Sequence, residues 1–333
     1  MIKFAMSILC VLLPISAAAQ TPTPPPRPEP APKRRPSMVG YINDSTIRSQ
    51  LRVRFDAGYG LNSADRAEFF YAKYGWYAHQ PTTFVNYDPD APGPWPGLLA
   101  DGNFSQLYLL GEYGFANSRA SAFVELPVRW FRPGEWIPGF GVGEKSTGLS
   151  DIRFGAKLGL MSNEGTQATI LFQVTTPTGD AAKALGTNHA SIEPAFLLAQ
   201  SVGDKVNVEG QFGMVIPAGG SAGLPASSPD KFSGSVLYYG VGPSVDVYST
   251  GTVRFAPVVE LVGWSVLGGF RTTCGDETCF LEANDPGGNI VNIKFGGRLV
   301  LRDQSSIYIG FGKAMTDEKW YDKIFRLEFR RSF

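Results

Sequence analysis

Residues 47–59 read IRSQLRVRFDAGY, and the two unlike faces of this stretch decide the fold. Apolar or small residues alternate with polar ones, among them Arg48, Arg52 and Arg54. A period of two predicts a β-strand, because successive side chains of a strand point to opposite faces. A strand on a soluble core would show the same alternation, so the rest of the chain has to indicate which solvent each face meets.

The first forty residues indicate export. The chain opens MIKFAMSILCVLLPISAAAQ, in which a lysine, an apolar run and the small residues Ala17 and Ala19 form the layout of a secretory signal peptide at residues 1–19. Residues 20–40 contain the run TPTPPPRPEPAPKRRP, which has too few backbone donors for a helix or a sheet. We predict that this stretch is a disordered, extended periplasmic tether.

Cys274 and Cys279 are the cysteines that follow the signal peptide, and they stand in the hydrophilic stretch CGDETC. Thiols of an exported protein can pair in an oxidising compartment, so we predict a local disulfide. The alternative is a metal site, which would need two further ligands, and the histidines of the chain are His79 and His189. We therefore predict neither a metal nor a cofactor.

Composition narrows the class of the remaining chain. The formal net charge is zero, and 39 glycines and 13% aromatic residues accompany 18% charged residues, which does not indicate a nucleic-acid surface. The most apolar later segment, residues 255–270, is interrupted by Glu260 and by three glycines, so it does not predict a membrane helix. A chain of this kind that spans a membrane would do so as a closed barrel.

Eleven further stretches repeat the pattern of the first. The twelve predicted strands are residues 47–59, 103–115, 119–131, 149–161, 166–178, 190–202, 205–217, 233–248, 252–267, 290–302, 306–316 and 323–333. Long connections rich in Pro, Gly and aromatic residues alternate with tight ones such as ANS and DQS. Outer-membrane barrels have short periplasmic turns and longer external loops, whereas a soluble sandwich has no reason to sort its loops in this way.

We therefore predict an all-β protein, in which residues 41–333 form a transmembrane antiparallel up-and-down barrel of about twelve strands. The expected location is the outer membrane of a Gram-negative cell, with both termini in the periplasm. Expected contacts are membrane lipid and lipopolysaccharide. The alternating Phe325, Leu327, Phe329 and Phe333 resemble the carboxy-terminal signal that the barrel-assembly machinery reads.

Charged residues at alternate positions are predicted to line the lumen, because one arginine facing the bilayer midplane costs about 2–4 kcal/mol. The candidates are Arg48, Arg52, Arg54, Glu125, Arg129, Asp151, Arg153, Lys157, Glu193, Glu209, Glu260, Arg298, Arg326, Glu328 and Arg330. Five of the arginines fall on the first and last strands, where Asp56 and Glu328 are the nearest acids. Either Glu125, Glu209 or Glu260 reaches across to pair with them, or a positive wall remains that favours anions.

The motifs GLSDIRFGAKLGL and TTPTGD resemble those of an outer-membrane transporter family named for the meta-pathway of phenol degradation. Gly148, Leu149 and Asp151 match its first motif, with Ser150 in place of a second glycine, and residues 177–180 match its P-T-G-D loop. The resemblance extends over nearly the whole chain after the signal peptide. It implies a barrel and a transporter, and the family name suggests hydrophobic or aromatic solutes.

The predicted function is passive passage of small solutes, without catalytic residues. A closed structural or surface-display barrel is the alternative. A phospholipase-like hydrolase is a third hypothesis, because Asn188, His189 and Ser191 lie together at an expected external edge of the barrel. The longest predicted loop, residues 60–102, carries many aromatic residues. This loop either folds inward as a partial plug or packs on the other external loops and lipopolysaccharide.

Overall fold

The computed structural model describes residues 36–61, 72–95, 99, 101–134, 144–274, 279–282 and 289–333, with backbone alone for residues 273–274 and 279–282. The predicted signal peptide and most of the predicted tether lie outside these ranges. Two 3₁₀ helices, Gly75–His79 and Ala181–Lys183, accompany the strands. No helix in the described ranges has the length and hydropathy of a membrane span. The strands are β1 (Gln50–Tyr59), β2 (Gly102–Phe115), β3 (Ala120–Pro133), β4 (Ser146–Leu149), β5 (Arg153–Ser162), β6 (Thr166–Thr175), β7 (Ala190–Val202), β8 (Val206–Ala218), β9 (Val236–Val245), β10 (Tyr248–Ser249), β11 (Val253–Val266), β12 (Arg271–Cys274), β13 (Cys279–Glu282), β14 (Asn289–Leu301), β15 (Ser305–Ala314) and β16 (Lys323–Ser332).

The strands close into a barrel because β16 pairs with β1 as well as with β15, and every pairing is antiparallel. β4 and β5 both pair with β3 and act as one barrel strand that is interrupted at residues 150–152. β10 adds two residues beside β11, and β12 and β13 form a separate hairpin. Counted in this way, the described residues form a closed barrel of twelve strands, which confirms the fold predicted from the sequence.

The two faces of each strand differ as the alternation requires. On β16, Phe325, Leu327 and Phe329 are 36%, 43% and 44% exposed, whereas Arg326 and Glu328 are 5% and 1% exposed. Exposed leucines, valines, isoleucines and phenylalanines continue around the outside of the barrel. An outward apolar band is the surface that a transmembrane barrel presents to hydrocarbon, and the charged side chains then face the lumen.

The two ends of the barrel differ in their connections. At one end, called the short-turn end below, residues 116–119, 163–165, 203–205 and 302–304 join neighbouring strands. The amide oxygen of Asn163 accepts hydrogen bonds from the backbone N–H groups of Gly165 and Thr166, which closes one of these turns locally. The other end, called the long-loop end below, carries the longer connections. By this asymmetry the short-turn end corresponds to the periplasmic side.

Residues 36–49, called the inner segment below, lie inside the barrel and precede β1. Most of them are buried, including Met38, Val39 and Ile42 at 2%, 0% and 3% exposure. The sequence had assigned residues 36–40 to the extended tether and residues 47–49 to the first strand. The ladder of β1 begins only at Gln50, and Arg48 belongs to the inner segment. The lumen at the short-turn half of the barrel is therefore occupied by the chain itself.

Candidate functional site in the barrel lumen

A carboxylate on β11 holds the backbone N–H groups of the inner segment. Glu260 accepts hydrogen bonds from the backbone nitrogens of Gly40, Tyr41 and Ile42 at 2.9, 2.8 and 2.9 Å, and from the Tyr308 hydroxyl at 3.0 Å. Three consecutive N–H groups thus converge on one anion, an arrangement that stabilises negative charge through charge-assisted hydrogen bonds. The full burial of Glu260 makes these four donors necessary, because a buried carboxylate without partners is costly.

Arginines of the wall hold the backbone carbonyls of the same stretch. Arg298 donates to the carbonyl oxygens of residues 38 and 39 at 3.1 and 2.7 Å, and Arg326 donates to that of Gly40 at 2.5 Å. Arg330 reaches the carbonyl of Val39 at 3.3 Å. Buried backbone groups need partners, and here the wall supplies the donors and acceptors that a β-ladder or water would otherwise supply.

The later part of the inner segment is fixed at the short-turn end. The carbonyl of Ser45 accepts hydrogen bonds from the Gln167 amide and the Thr169 hydroxyl, both at 2.7 Å. Asp44 accepts from the backbone nitrogen of Thr46 at 2.7 Å and from Arg330 at 3.0 Å. Asp44 is therefore a lumenal acid that sequence reasoning missed, since it belongs to no predicted strand.

The arginines of the first and last strands are largely paired. Arg326 binds Asp56 through two hydrogen bonds of 2.6 and 2.7 Å. Glu328 lies 2.7 Å from a nitrogen of Arg298 and 2.6 Å from one of Arg330. Of the two alternatives left open by the sequence, pairing therefore describes this part of the wall better than an uncompensated positive surface.

The acids that the sequence offered as partners across the lumen behave differently from one another. Glu125 on β3 does reach Arg52, at 2.9 Å. Glu209 instead accepts a hydrogen bond from the backbone nitrogen of Met38 at 2.7 Å, so it holds the inner segment as Glu260 does. Arg330 pairs with Glu328 and also with Asp44, an acid of the inner segment that lies 3.0 Å away.

Most of the remaining candidates also have polar partners inside the barrel, and some of these partners are shared. Lys157 pairs with Glu112 at 3.2 Å. Arg129 donates to the Gln106 side chain at 3.0 Å, and Glu193 accepts hydrogen bonds from Gln173 and Thr175 at 2.9 and 2.7 Å. Arg48 lies 3.5 Å from Asp44. Arg153 lies 3.4 Å from Glu125.

Aromatic residues of the longest loop fill the lumen at the opposite, long-loop end. Tyr74, Trp76 and Tyr77 are buried in one apolar cluster, called the outer cluster below, and the ring centroids of Tyr77 and Phe232 lie 6.3 Å apart. The other members of this cluster come from inward positions at the ends of strands and from neighbouring loops. They are Leu61, Leu99, Phe104, Phe131, Ala184, Leu224, Phe232, Val236, Val266, Phe270, Ile290, Trp320, Tyr321 and Ile324. The described part of this loop therefore packs both on inward positions of the barrel wall and on neighbouring loops, and its contact with lipopolysaccharide stays a prediction.

A buried lysine ties the longest loop to its neighbour. The Nζ of Lys73 donates to Asp88 at 2.8 Å and to the carbonyl oxygen of Ala222 at 3.1 Å. Burial lowers the pKa of Lys73, and the hydrogen bond and charge of Asp88 oppose that effect. The Tyr77 ring lies 4.8 Å from the same nitrogen. Lys73 thus provides a buried polar contact beside the apolar residues of the outer cluster.

A cavity of about 130 Å³, called the chamber below, lies between the two occupied ends. Tyr41 and Asn43 of the inner segment line it, and so does Trp320 of the outer cluster. The remaining lining residues come from the barrel wall and are Arg52, Arg54, Tyr108, Glu125, Arg153, Gln173, Glu193, Gln211, Val215, Tyr238, Val262, Trp264 and Arg326. Charged and amide side chains make up most of this lining, and tyrosine and tryptophan rings make up most of the rest. The chamber is thus a polar cavity with several aromatic faces, and concave sites with converging polar groups are where small molecules bind.

The carboxylate of Asp151 is hydrogen-bonded to a neighbouring loop and so has a structural role. Its carboxylate accepts hydrogen bonds from the backbone nitrogens of Gly179 and Thr187 at 2.9 and 2.8 Å, and from the Thr187 hydroxyl at 2.7 Å. A Cβ on Gly179 would contact the backbone of Leu185, so the turn requires glycine there. The aspartate of the first motif therefore fixes the loop that contains the second motif.

The residues considered for a hydrolase do not form a relay. The Nδ1 of His189 bonds to the carbonyl oxygen of Thr187 at 2.8 Å, within its own loop. Burial lowers the pKa of His189, while the Thr187 hydrogen bond and the charge of Asp151 oppose this. The side chain of His189 therefore contacts the backbone of its own loop, and its role there is structural.

Two other predictions concern the cysteine pair and metal binding, and the structure describes only part of the residues involved. The backbone register places Cys274 opposite Cys279 across β12 and β13. Their side chains lie outside the described atoms, so the disulfide stays a prediction. Within the described ranges, no group of three or more His, Cys, Asp or Glu side chains is arranged to hold a metal ion.

Comparison with known proteins tests the resemblance that the motifs carry. Residues 68–223 match the family model described as "Putative MetA-pathway of phenol degradation". This match confirms the resemblance predicted from the sequence over residues 68–223, a little under half of the chain. No curated protein sequence matches the chain.

Solved structures similar to the chain are barrels. An outer membrane channel from Pseudomonas putida F1 has 14% sequence identity and a TM-score of 0.53, with 92% of this chain and 100% of that chain covered. The beta domain of the Bordetella autotransporter BrkA has 12% identity and a TM-score of 0.48, with 86% and 100% covered. The NanC porin has 9% identity and a TM-score of 0.44, with 85% and 98% covered. At this identity the channel from Pseudomonas shares the fold, which is a barrel of the outer-membrane type.

Proposed function

We propose that this protein is a gated outer-membrane channel for small solutes and not an enzyme. The observation that carries the proposal is the chamber between the inner segment and the outer cluster, which is lined by the barrel wall and by residues from both occupied ends. Small solutes would cross when one or both occupied ends open. Hydrophobic or aromatic solutes are what the family name suggests.

Conductance in planar lipid bilayers tests this proposal. Reproducible steps from purified, heat-modifiable barrel are expected, with openings that are brief because both ends of the lumen are occupied. A barrel that inserts many times and stays silent, even when the inner segment is loosened by Glu260→Gln, would contradict the channel function.

A closed structural barrel is the second candidate, and one observation favours it. The inner segment is held by acceptors and donors on several strands, among them Glu209, Glu260, Arg298 and Arg326. Such a barrel would conduct neither as the native chain nor after removal of residues 36–46. The deletion therefore separates a gate from a permanent filling.

The surroundings of the barrel belong to the same proposal. Its outward apolar band would contact membrane lipid, and the long-loop end would contact lipopolysaccharide. The last strand, ending at Phe333, would be read by the barrel-assembly machinery. Export through the predicted signal peptide and a Cys274–Cys279 disulfide complete this proposal. Fractionation of cells and thiol labelling before and after reduction test these last two points.

A further inference from the structure

The charges that line the chamber are unevenly matched. Four arginines, Arg52, Arg54, Arg153 and Arg326, border it together with two glutamates, Glu125 and Glu193. Arg326 is held by Asp56 in a two-bond contact, whereas Arg52, Arg54 and Arg153 all lie within 3.6 Å of Glu125. One carboxylate therefore serves several guanidinium groups on the same side of the chamber.

Arg54 has the weakest set of partners among these arginines. Its nitrogens lie 3.5 Å from Asp56 and 3.6 Å from Glu125, and it makes no hydrogen bond to the described residues. Both acids have closer partners, because Arg326 approaches Asp56 to 2.6 Å and Arg52 approaches Glu125 to 2.9 Å. A guanidinium group carries five N–H donors, so Arg54 retains donors for a further acceptor.

The Arg54 side chain is also fixed in place. Its guanidinium carbon lies 3.7 Å from the ring centroid of Tyr108, and its side chain is only 11% exposed. Stacking on an aromatic face holds the planar group and leaves its edge available for hydrogen bonds. A cation held in this way at the margin of a cavity matches the two oxygens of a carboxylate.

The other walls of the chamber suit a flat apolar group. Tyr41, Tyr238, Trp264 and Trp320 line it, and the rings of Trp264 and Trp320 lie 4.7 Å apart. Aromatic side chains supply large apolar contact surfaces with defined geometry. The chamber therefore combines one under-partnered cation with several aromatic faces.

We propose that the chamber binds a small aromatic carboxylate, with the carboxylate on Arg54 and the ring against the aromatic wall. The inference rests on the proposed channel function and deepens it by naming the class of solute. Neutral molecules of the same shape bind more weakly, because they leave the buried guanidinium without an anionic acceptor.

Calorimetric titration of the purified full chain in detergent micelles tests the proposal, with benzoate as the probe and benzamide as its neutral counterpart. Benzoate is expected to bind more tightly than benzamide. Arg54→Gln weakens benzoate binding about tenfold to a hundredfold, the loss of one charge-assisted contact, and leaves benzamide unchanged. Glu125→Gln acts in the opposite direction and tightens benzoate several-fold, because it removes the acid that shares the arginines.

Lys313→Gln is the matched control, since it removes one exposed positive charge from β15 outside the lumen. Equal affinity for benzoate and benzamide, or an unchanged affinity after Arg54→Gln, would overturn the proposal. If the native chain does not bind benzoate, the titration is repeated with Glu260→Gln, and absence of binding in both chains also overturns it. Conductance without binding rejects the carboxylate site alone, whereas binding without conductance rejects the channel.

Discussion

Replacing Glu260 with glutamine should open the short-turn half of the lumen without unfolding the barrel. Oε2 of this residue accepts from the backbone nitrogens of Tyr41 and Ile42, and Oε1 accepts from the nitrogen of Gly40 and the hydroxyl of Tyr308. An amide has one oxygen, so in either orientation its NH₂ group faces donors instead of accepting from them. The Tyr308 hydroxyl can turn to accept from the amide, so at least one hydrogen bond to the inner segment is lost, together with the charge that strengthens the others.

The size of the effect follows from those contacts. A hydrogen bond to a charged group contributes about 1.5–3 kcal/mol, so one lost bond weakens docking of the inner segment by about 1.5–3 kcal/mol. Each 1.4 kcal/mol is about a tenfold change in an equilibrium constant, which raises the ratio of undocked to docked chains by about tenfold to a hundredfold. The β-ladder hydrogen bonds of β11 are backbone bonds and are unaffected.

Two measurements read this change. Conductance in bilayers should show longer openings, and a cysteine introduced at Asn43 should react faster with a thiol reagent in the variant than in the parent chain. Asp303→Asn is the control, because it removes one negative charge from an exposed short turn. Unchanged conductance together with unchanged thiol reactivity, in a barrel that remains heat-modifiable, would refute the reasoning.

Three further expectations concern other parts of the lumen. Trp76→Ala removes a buried ring from the outer cluster, so single-channel conductance should rise, and an unchanged value would contradict plugging by this loop. Arg326→Met removes the two-bond partner of buried Asp56 and leaves it only Arg54, 3.5 Å away, so it should cost about 3 kcal/mol in urea unfolding, much of it recovered when Asp56→Asn is added. Because burial lowers the pKa of His189 below 6.5, its loop should be stable above that pH and more sensitive to protease as the pH falls below it. His189→Gln should remove this pH dependence, and a persisting dependence would assign it to another group.

The barrel could be predicted because its determinants are local. The alternation in β1 and β16 assigns faces, and the cost of placing an arginine in hydrocarbon decides which face is inside. The predicted strands agree with the described strands to within a few residues, with β4 and β5 read as one. The parity of loop lengths separated this barrel from a soluble sandwich before any contact was known.

The inner segment could not be predicted in the same way, because its partners are remote in the chain. Val39 contacts Glu209, 170 positions away in the chain, and Gly40 contacts Glu260, 220 positions away. Met38 contacts Arg298, 260 positions away. Its sequence, PSMVGYINDSTIRS, has no period of two or of 3.6 that would mark an element. One signal was present, namely the apolar run beginning at Met38 directly after a proline-rich stretch, which a solvated tether would not need.

The contacts of the inner segment also explain why it can serve as a gate. When it leaves, Arg326 keeps Asp56, Arg298 keeps Glu328, and Glu260 keeps the Tyr308 hydroxyl. The register of β11 and β14 also sets Glu260 opposite Lys294 on the neighbouring strand. Water can replace the backbone groups of the departing segment, so each exchanged hydrogen bond to a charged group costs its net contribution of about 1.5–3 kcal/mol rather than the larger penalty of an unmade one. Because these contacts within the wall persist in both states, opening leaves the closed ladder of strands intact.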